Sequence, residues 1–128
     1  MARRLISSGG PFEGPAGYSR AVVVGDSCWV AGTTDAGPAG ASLHPGDAGA
    51  QARAAFAIIK MALAEAGFTL GDVVRSRMFV TDMGASAAVL AVHGEIFGSI
   101  RPAATIVEVS ALIDPSLLVE IEVDAHRA

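Results

Sequence analysis

One long segment carries apolar residues at the three- and four-residue spacing of an amphipathic helix. It runs from about residue 47 or 49 to residue 66. Its apolar stripe consists of Ala55, Ile58, Ile59, Ala62 and Ala66. Asp47 is suited to accept hydrogen bonds from the free amide groups at the helix start, and Gly67 is suited to the left-handed conformation that ends many helices. The pattern therefore predicts a first helix bounded by these two residues.

A second segment with helical spacing covers residues 85–97. Val89, Val92 or His93, Ile96 and Phe97 fall on one stripe. Gly98 is expected to end this helix, and Pro102 prevents it from continuing.

Other segments alternate with the period of a β-strand. In residues 72–81, the alternation predicts one face with Val74, Ser76, Met78 and Val80, and an opposite face with Val73, Arg75, Arg77, Phe79 and Thr81. In residues 119–124, three apolar residues alternate with Glu120, Glu122 and Asp124, which predicts a strand with one buried and one acidic face.

Further strands are expected at residues 105–109, 21–24 and 28–31, and a short one at residues 4–7. The predicted strands at residues 21–24 and 28–31 flank residues 25–27 (GDS), which suit a hairpin turn. Residues 32–49 are rich in glycine and proline and are expected to form a loop. Paired strands interrupted by two helices indicate an α+β fold. We expect a mixed, mainly antiparallel sheet of about six strands with both helices on one face.

Composition narrows the class of protein. The chain has 128 residues, of which 52% are hydrophobic and 17% charged, and its net charge is −4. It is too apolar for a disordered chain and too short for two ordinary domains, so residues 1–128 are expected to form a single domain. Few charges and a mean hydropathy of +0.49 suggest that part of the surface is buried in an oligomer. The acidic balance argues against a nucleic-acid partner.

Several sites and compartments are not expected. No apolar run reaches the roughly 20 residues that span a bilayer, so no membrane partner is predicted and a cytoplasmic location is the default. The single cysteine, Cys28, excludes an internal disulfide, and the three histidines have no metal-site spacing. We therefore predict no metal.

Residues 101–109 (RPAATIVEV), followed by Leu112 and residues 119–122 (VEIE), resemble the signature end of the Rid family. This family of reactive-intermediate deaminases is also called YjgF or endoribonuclease L-PSP. Further matching segments occur in the same order along nearly the whole chain: residues 30–33 (VAGT), 51–53 (QAR), 64–68 (AEAGF), 72–74 (DVV) and 79–82 (FVTD).

The resemblance implies a chorismate-mutase-like α+β fold and a homotrimer with ligand clefts between its subunits. It also implies hydrolysis of small enamines and imines, such as 2-aminoacrylate, to a carbonyl compound and ammonia. No metal or organic cofactor is implied, and the expected partner is a small-molecule substrate.

The chain departs from the family pattern at one position. Active members carry an arginine that grips the substrate carboxylate, and here that position is Ala104. A hydrogen bond to a charged group contributes about 1.5–3 kcal/mol, so weak or altered activity on 2-aminoacrylate is expected. A family cysteine two residues later is replaced by Ile106, whereas the family carboxylate is retained as Glu120.

Each candidate site residue has a functional and a structural interpretation. Glu120 is either the catalytic carboxylate that activates water or a solvated strand residue. Tyr18 and Gly32 match positions that line the family cleft, although packing and a strand-end turn explain them as well. His93 is either a proton-transfer group at the cleft or a packed core histidine.

Four arginines compete to replace the missing guanidinium. Arg77 and Arg75 share a sheet face, where ion pairing with Glu120 or Glu122 is an alternative role. Arg20 and Arg101 are the other candidates, and the sequence does not rank them.

A non-catalytic, metabolite-binding trimer remains the alternative function, because Ala104 and Ile106 make the cleft apolar. Ribonuclease activity is less favoured, because no basic tract is present.

Overall fold

The computed structural model describes residues 2–128, which form one sheet covered by two long helices. The strands are β1 (Arg3–Ile6), β2 (Ala21–Val24), β3 (Ser27–Thr33), β4 (Val73–Val80), β5 (Ala103–Glu108) and β6 (Val119–His126). The helices are α1 (Glu13–Ala16), α2 (Ala48–Ala66) and α3 (Ser86–Phe97). The α+β prediction of six strands and two major helices is confirmed, and the one-turn helix α1 was not predicted.

Both ends of α2 follow from its sequence. The Asp47 side chain accepts a hydrogen bond from the backbone N–H of Ala50 at 3.0 Å, and Gly67 adopts a left-handed φ of 85°. Small and apolar side chains face the sheet: Ala52, Ala55, Phe56, Ile59, Ala62, Leu63 and Ala66. The predicted first helix is thus confirmed in its ends and in its buried face except at Ile58, which is only partly buried. Helix α3 begins at Ser86, one residue later than predicted.

The sheet has the order β1-β2-β3-β6-β4-β5. Its neighbours are antiparallel except β4 and β5, which are parallel because α3 connects them across the sheet. The hairpin between β2 and β3 turns at Gly25 and Asp26, with a φ of 58° at Gly25. As a result, β6 lies in the middle of the sheet and β5 lies at its edge.

Two register shifts interrupt the pairing with β6. In β4 a shift lies between Val73 and Arg75, so Val73 is buried while Val74 is 51% exposed. The prediction that Val74 shares the buried face of Ser76 and Met78 is therefore wrong, because a β-bulge breaks the two-residue alternation there. In β3 a second shift lies between Val30 and Thr33.

The core lies between the sheet and the long helices, and one buried polar side chain fixes the start of α2. Gln51 donates to the carbonyl oxygens of His44 and Ser116 at 3.1 and 3.0 Å, and it accepts from the N–H of Leu118 at 2.8 Å. The amide thereby holds two loops against the helix.

Within residues 2–128, no helix combines the length and the apolar character needed to cross a membrane.

Candidate functional site

A cavity of about 350 Å³ lies beside the end of β3. Its polar lining includes Tyr18, Arg20, Thr33 and Glu120, and Gly32 contributes backbone. Phe12, Ile58 and Ile113 supply an apolar wall. The volume and the mixture of apolar surface with a few polar groups suit a small organic ligand. Three predicted site residues, Tyr18, Gly32 and Glu120, are brought together here.

The carboxyl group of Glu120 lies against the α-carbon of Gly32. A Cβ atom at Gly32 would collide with Oε2 of Glu120 and would lie 2.9 Å from its Cδ. The register shift in β3 explains this proximity, since a bulge re-aims the side chains around it. Glycine is required here to leave room for the carboxylate.

Partial burial and charge determine the protonation of Glu120. Burial raises the pKa of this carboxyl group, the negative charge of Glu122 raises it further, and Arg20 opposes both effects. No hydrogen bond from any residue between 2 and 128 adds to these effects. Glu120 is therefore the carboxylate of the cavity that remains available to a ligand or to water.

Arg20 is buried in the cavity wall, with 6% of its surface exposed. Its Nη1 donates to the carbonyl oxygen of Gly32 at 2.7 Å and to Oγ1 of Thr33 at 2.8 Å. Its Nη2 donates to the hydroxyl of Tyr18 at 3.4 Å, and the guanidinium carbon lies 5.5 Å from the centre of that ring. Arg20 thus joins three residues of the wall, of which Gly32 and Thr33 belong to β3 and Tyr18 to the loop after α1.

A buried carboxylate balances the charge of Arg20. Oε2 of Glu13 lies 3.7 Å from Nε of Arg20, which donates no hydrogen bond to residues 2–128. Burial raises the pKa of Glu13, but hydrogen bonds from Ser8, Ser7 and Gly10 outweigh that effect and lower it overall. Glu13 is therefore ionised at neutral pH.

Sequence reasoning missed Glu13 altogether. A pair of opposite charges seven residues apart, in a region rich in glycine and proline, was the available signal. Arg20 was one of four candidate arginines, and the structure places it in the cavity lining together with Glu120.

Three other predicted site residues lie elsewhere in the chain. In the register of β4 with β5, Ala104 pairs with Ser76 and Ile106 with Met78, on the face covered by the helices. Nε2 of His93 lies 2.7 Å from Oγ of Ser76, and burial lowers the pKa of this histidine. Because Glu120 belongs to the opposite face of the sheet, one chain does not unite these residues with the cavity.

Arg77 lies on the outer face of the sheet and is engaged by acidic residues of β6. Its Nη1 is 3.3 Å from Oε1 of Glu122 and 3.6 Å from Oδ2 of Asp124. Arg75 approaches Asp124 at 4.0 Å. The contact of Arg77 with Glu122 agrees with the ion-pairing alternative, whereas the acidic residue near Arg75 is Asp124, which was not among the expected partners. In the chain from residue 2 onward, no group of three or more His, Cys, Asp or Glu side chains is placed to hold a metal ion.

Comparisons with known proteins agree with this architecture. The family model described as endoribonuclease L-PSP matches residues 12–127. A crystal structure of Rv2704 from Mycobacterium tuberculosis, described as a member of the YjgF/YER057c/UK114 family, has 49% identity and a TM-score of 0.89, with coverage of 98% of this chain and 100% of that one.

Two curated relatives are also similar. An uncharacterised protein of Streptomyces coelicolor is 38% identical over 126 residues, covering 98% of this chain and 93% of the relative. The 3-aminoacrylate deaminase RutC of Acinetobacter baylyi is 39% identical over 84 residues, covering 66% of each protein.

Proposed function

Because this chain belongs to the endoribonuclease L-PSP family, also called the Rid or YjgF family, we propose that it hydrolyses small imines or enamines to a carbonyl compound and ammonia. One observation carries the proposal. Glu120 places a half-buried carboxylate, which has no hydrogen-bond partner among residues 2–128, in a cavity of small-molecule size. The 3-aminoacrylate deaminase among the relatives supports the same class of reaction.

The reaction needs a base for water and a proton for the leaving nitrogen. An enamine first tautomerises to the imine. Glu120 then takes a proton from water as the oxygen bonds to the C=N carbon, and passes that proton to the nitrogen. The hydroxyl proton of the resulting carbinolamine also passes to the nitrogen, the carbon–nitrogen bond breaks, and ammonia leaves as the carbonyl forms. A carboxyl group whose pKa lies above its ordinary value is better matched to this task than a fully solvated one.

A homotrimer would unite the two groups of predicted site residues. Tyr18, Gly32 and Glu120 line the cavity, whereas Ala104 and Ile106 lie on the edge strand β5. We propose that β5 of a neighbouring copy closes the cavity, with His93 behind it, and that Arg77 holds Glu122 instead of substrate. Exposed Trp29 and Val107 give the sheet apolar surface to bury between copies.

The test combines activity with oligomeric state. Purified protein is added to an amino-acid oxidase or serine dehydratase reaction, and release of ammonia and carbonyl product is followed. Acceleration that Glu120→Gln abolishes supports the proposal, provided that the variant sediments like the wild type. No acceleration with any of several imines would contradict the hydrolase proposal. Sedimentation as a monomer would contradict the proposal that the cleft is shared between copies.

A non-catalytic metabolite-binding role is the second candidate. Ala104 is exposed and Ile106 is half-buried on the edge strand. Both side chains are uncharged, so neither can bind the charged group of a substrate in a cleft. A metabolite that binds tightly without being turned over would favour this role. The net charge of −4 does not favour the ribonuclease activity in the family's name.

A further inference from the structure

The charged groups that line the cavity (Arg20 and Glu120) or lie directly behind its wall (Glu13) are unequal in number. Arg20 supplies one positive charge, and its neighbour Glu13 is an ionised carboxylate 3.7 Å away. Glu120 adds a second carboxylate, which is without a paired cation among residues 2–128. The cavity therefore has a negative excess whenever Glu120 is ionised.

Three of the five N–H groups of Arg20 already donate hydrogen bonds to residues of the cavity wall. Both hydrogens of Nη1 face the wall, toward the carbonyl oxygen of Gly32 and the hydroxyl of Thr33. Nη2 is directed to Tyr18, and Nε points toward Glu13. An incoming carboxylate that binds Arg20 would compete with these contacts and with Glu13, and it would lie near two negative charges, which is unfavourable.

The geometry points to a ligand of the opposite charge. We propose that the cavity selects small planar cations, so that the preferred substrates are protonated imines formed by oxidation of amines, not the imino acids formed from amino acids. The catalytic part of this inference rests on the proposed function, whereas the preference for a cation does not. The apolar wall of Phe12, Ile58 and Ile113 would receive the hydrocarbon part of such a ligand.

The hydrolysis of such a substrate balances without any co-reactant except water. One iminium ion and one water molecule give one ketone or aldehyde and one ammonium ion. The C=N carbon gains the water oxygen, both water protons end on nitrogen, and the positive charge leaves with ammonium. Glu120 carries one of these protons, and its negative charge attracts the cation before the reaction begins.

Three isosteric probes test the charge preference without any turnover. Benzamidine is a planar cation, benzoate has nearly the same shape with a negative charge, and benzamide is neutral. Titration of the intact protein at neutral pH, followed by calorimetry or NMR, should show benzamidine binding at least about tenfold more tightly than benzoate. Equal or tighter binding of benzoate would overturn the inference, and so would the absence of binding by all three probes.

Substitutions test which residues cause the preference for a cationic ligand. Glu120→Gln keeps the shape of the side chain and should reduce the benzamidine preference by about tenfold. Glu13→Gln should raise benzoate affinity relative to benzamidine, a change in ratio that a purely structural role for Glu13 would not produce. Glu95→Gln, on the exposed face of α3, should leave all three affinities unchanged. A preference that persists in Glu120→Gln would overturn the inference.

Matched substrates separate this inference from the proposed function. An amine oxidase and an amino-acid oxidase generate imines with the same side chain, without and with a carboxylate. Faster hydrolysis of the amine-derived imine supports both ideas. Faster hydrolysis of the imino acid keeps the proposed function and overturns the charge preference. Benzamidine selectivity without hydrolysis of either imine keeps the charge preference and overturns the hydrolase.

Discussion

The carboxyl group of Glu120 occupies the space that a side chain at Gly32 would need. The two residues lie on neighbouring strands, and a Cβ at Gly32 would approach Cδ of Glu120 to 2.9 Å. The glycine therefore determines where the carboxylate lies, although it contributes no functional group. This relationship leads to the first prediction.

Gly32→Ala should lower hydrolase activity about tenfold to a hundredfold, because a displacement of about 1 Å in a reacting group can cost that much. The colliding atoms are the end of a flexible side chain, so the free energy of unfolding should change by less than about 1 kcal/mol. Steady-state kinetics and urea denaturation measure the two effects. Gly14→Ala is the control, because a Cβ there meets nothing within 4 Å. Full activity in Gly32→Ala would show that the position of Glu120 is unimportant.

The activity should also depend on the pH in a defined direction. Glu120 acts as a base when deprotonated, so the rate falls as the pH drops through its pKa, which lies above the ordinary value of 4.5. Glu122 is one cause of the raised pKa, so Glu122→Gln should move the acidic limb of the rate profile to lower pH. Profiles of kcat/KM measure this, with Glu95→Gln as the control. A limb that stays in place in Glu122→Gln would contradict the electrostatic explanation.

His93 should make the stability of the fold sensitive to mild acid. Burial lowers its pKa below the ordinary 6.5, so the unfolded chain binds the proton more readily than the native protein. This contribution to stability is present above pH 6.5 and is lost as the pH falls toward the lowered pKa. Urea denaturation near neutral pH and in mild acid should show a smaller loss in His93→Gln than in the wild type. His126→Gln, at an exposed position, should behave like the wild type; an unchanged loss in His93→Gln would contradict the assignment.

Ala104→Arg should restore recognition of a carboxylate. A hydrogen bond to a charged group contributes about 1.5–3 kcal/mol, so kcat/KM for 2-aminoacrylate should rise at least about tenfold. Ala104 is exposed on an edge strand, which gives the longer side chain room. Ala103→Arg is the matched control, because neighbouring residues of a strand point to opposite faces. Equal effects of the two substitutions would show that only net charge matters, and not the position in the cleft.

Local sequence signals predicted α2 well because its limits are set by contacts within a few residues. Asp47 binds an amide three positions later, and Gly67 adopts its left-handed φ within the last turn. The alternation in β6 was equally informative, since that strand is central and has one buried face. The same reasoning placed Glu120 correctly on the face opposite the core.

The remaining features depend on contacts between distant segments. The bulge at Val73 arises from pairing with β6, and no periodicity within β4 announces it. Likewise, Glu13 and Arg20 become partners only when α1 folds against the start of β2. The separation of Ala104 from Glu120 follows from the sheet, which places β4 between β6 and β5 and directs the two side chains to opposite faces. Such relationships are set by topology and not by spacing in the sequence.

The extra residue in β3 also makes the length of that strand a requirement for the cavity. Deleting one residue between Val30 and Thr33 would permit uninterrupted pairing with β6 and a flatter ribbon. If Gly32 is the residue deleted, Ala31 takes its place, and the Ala31 side chain would then occupy the space where the carboxylate of Glu120 lies. In this protein the irregular pairing of β3 with β6, and not a regular one, leaves the carboxylate of Glu120 accessible to a ligand.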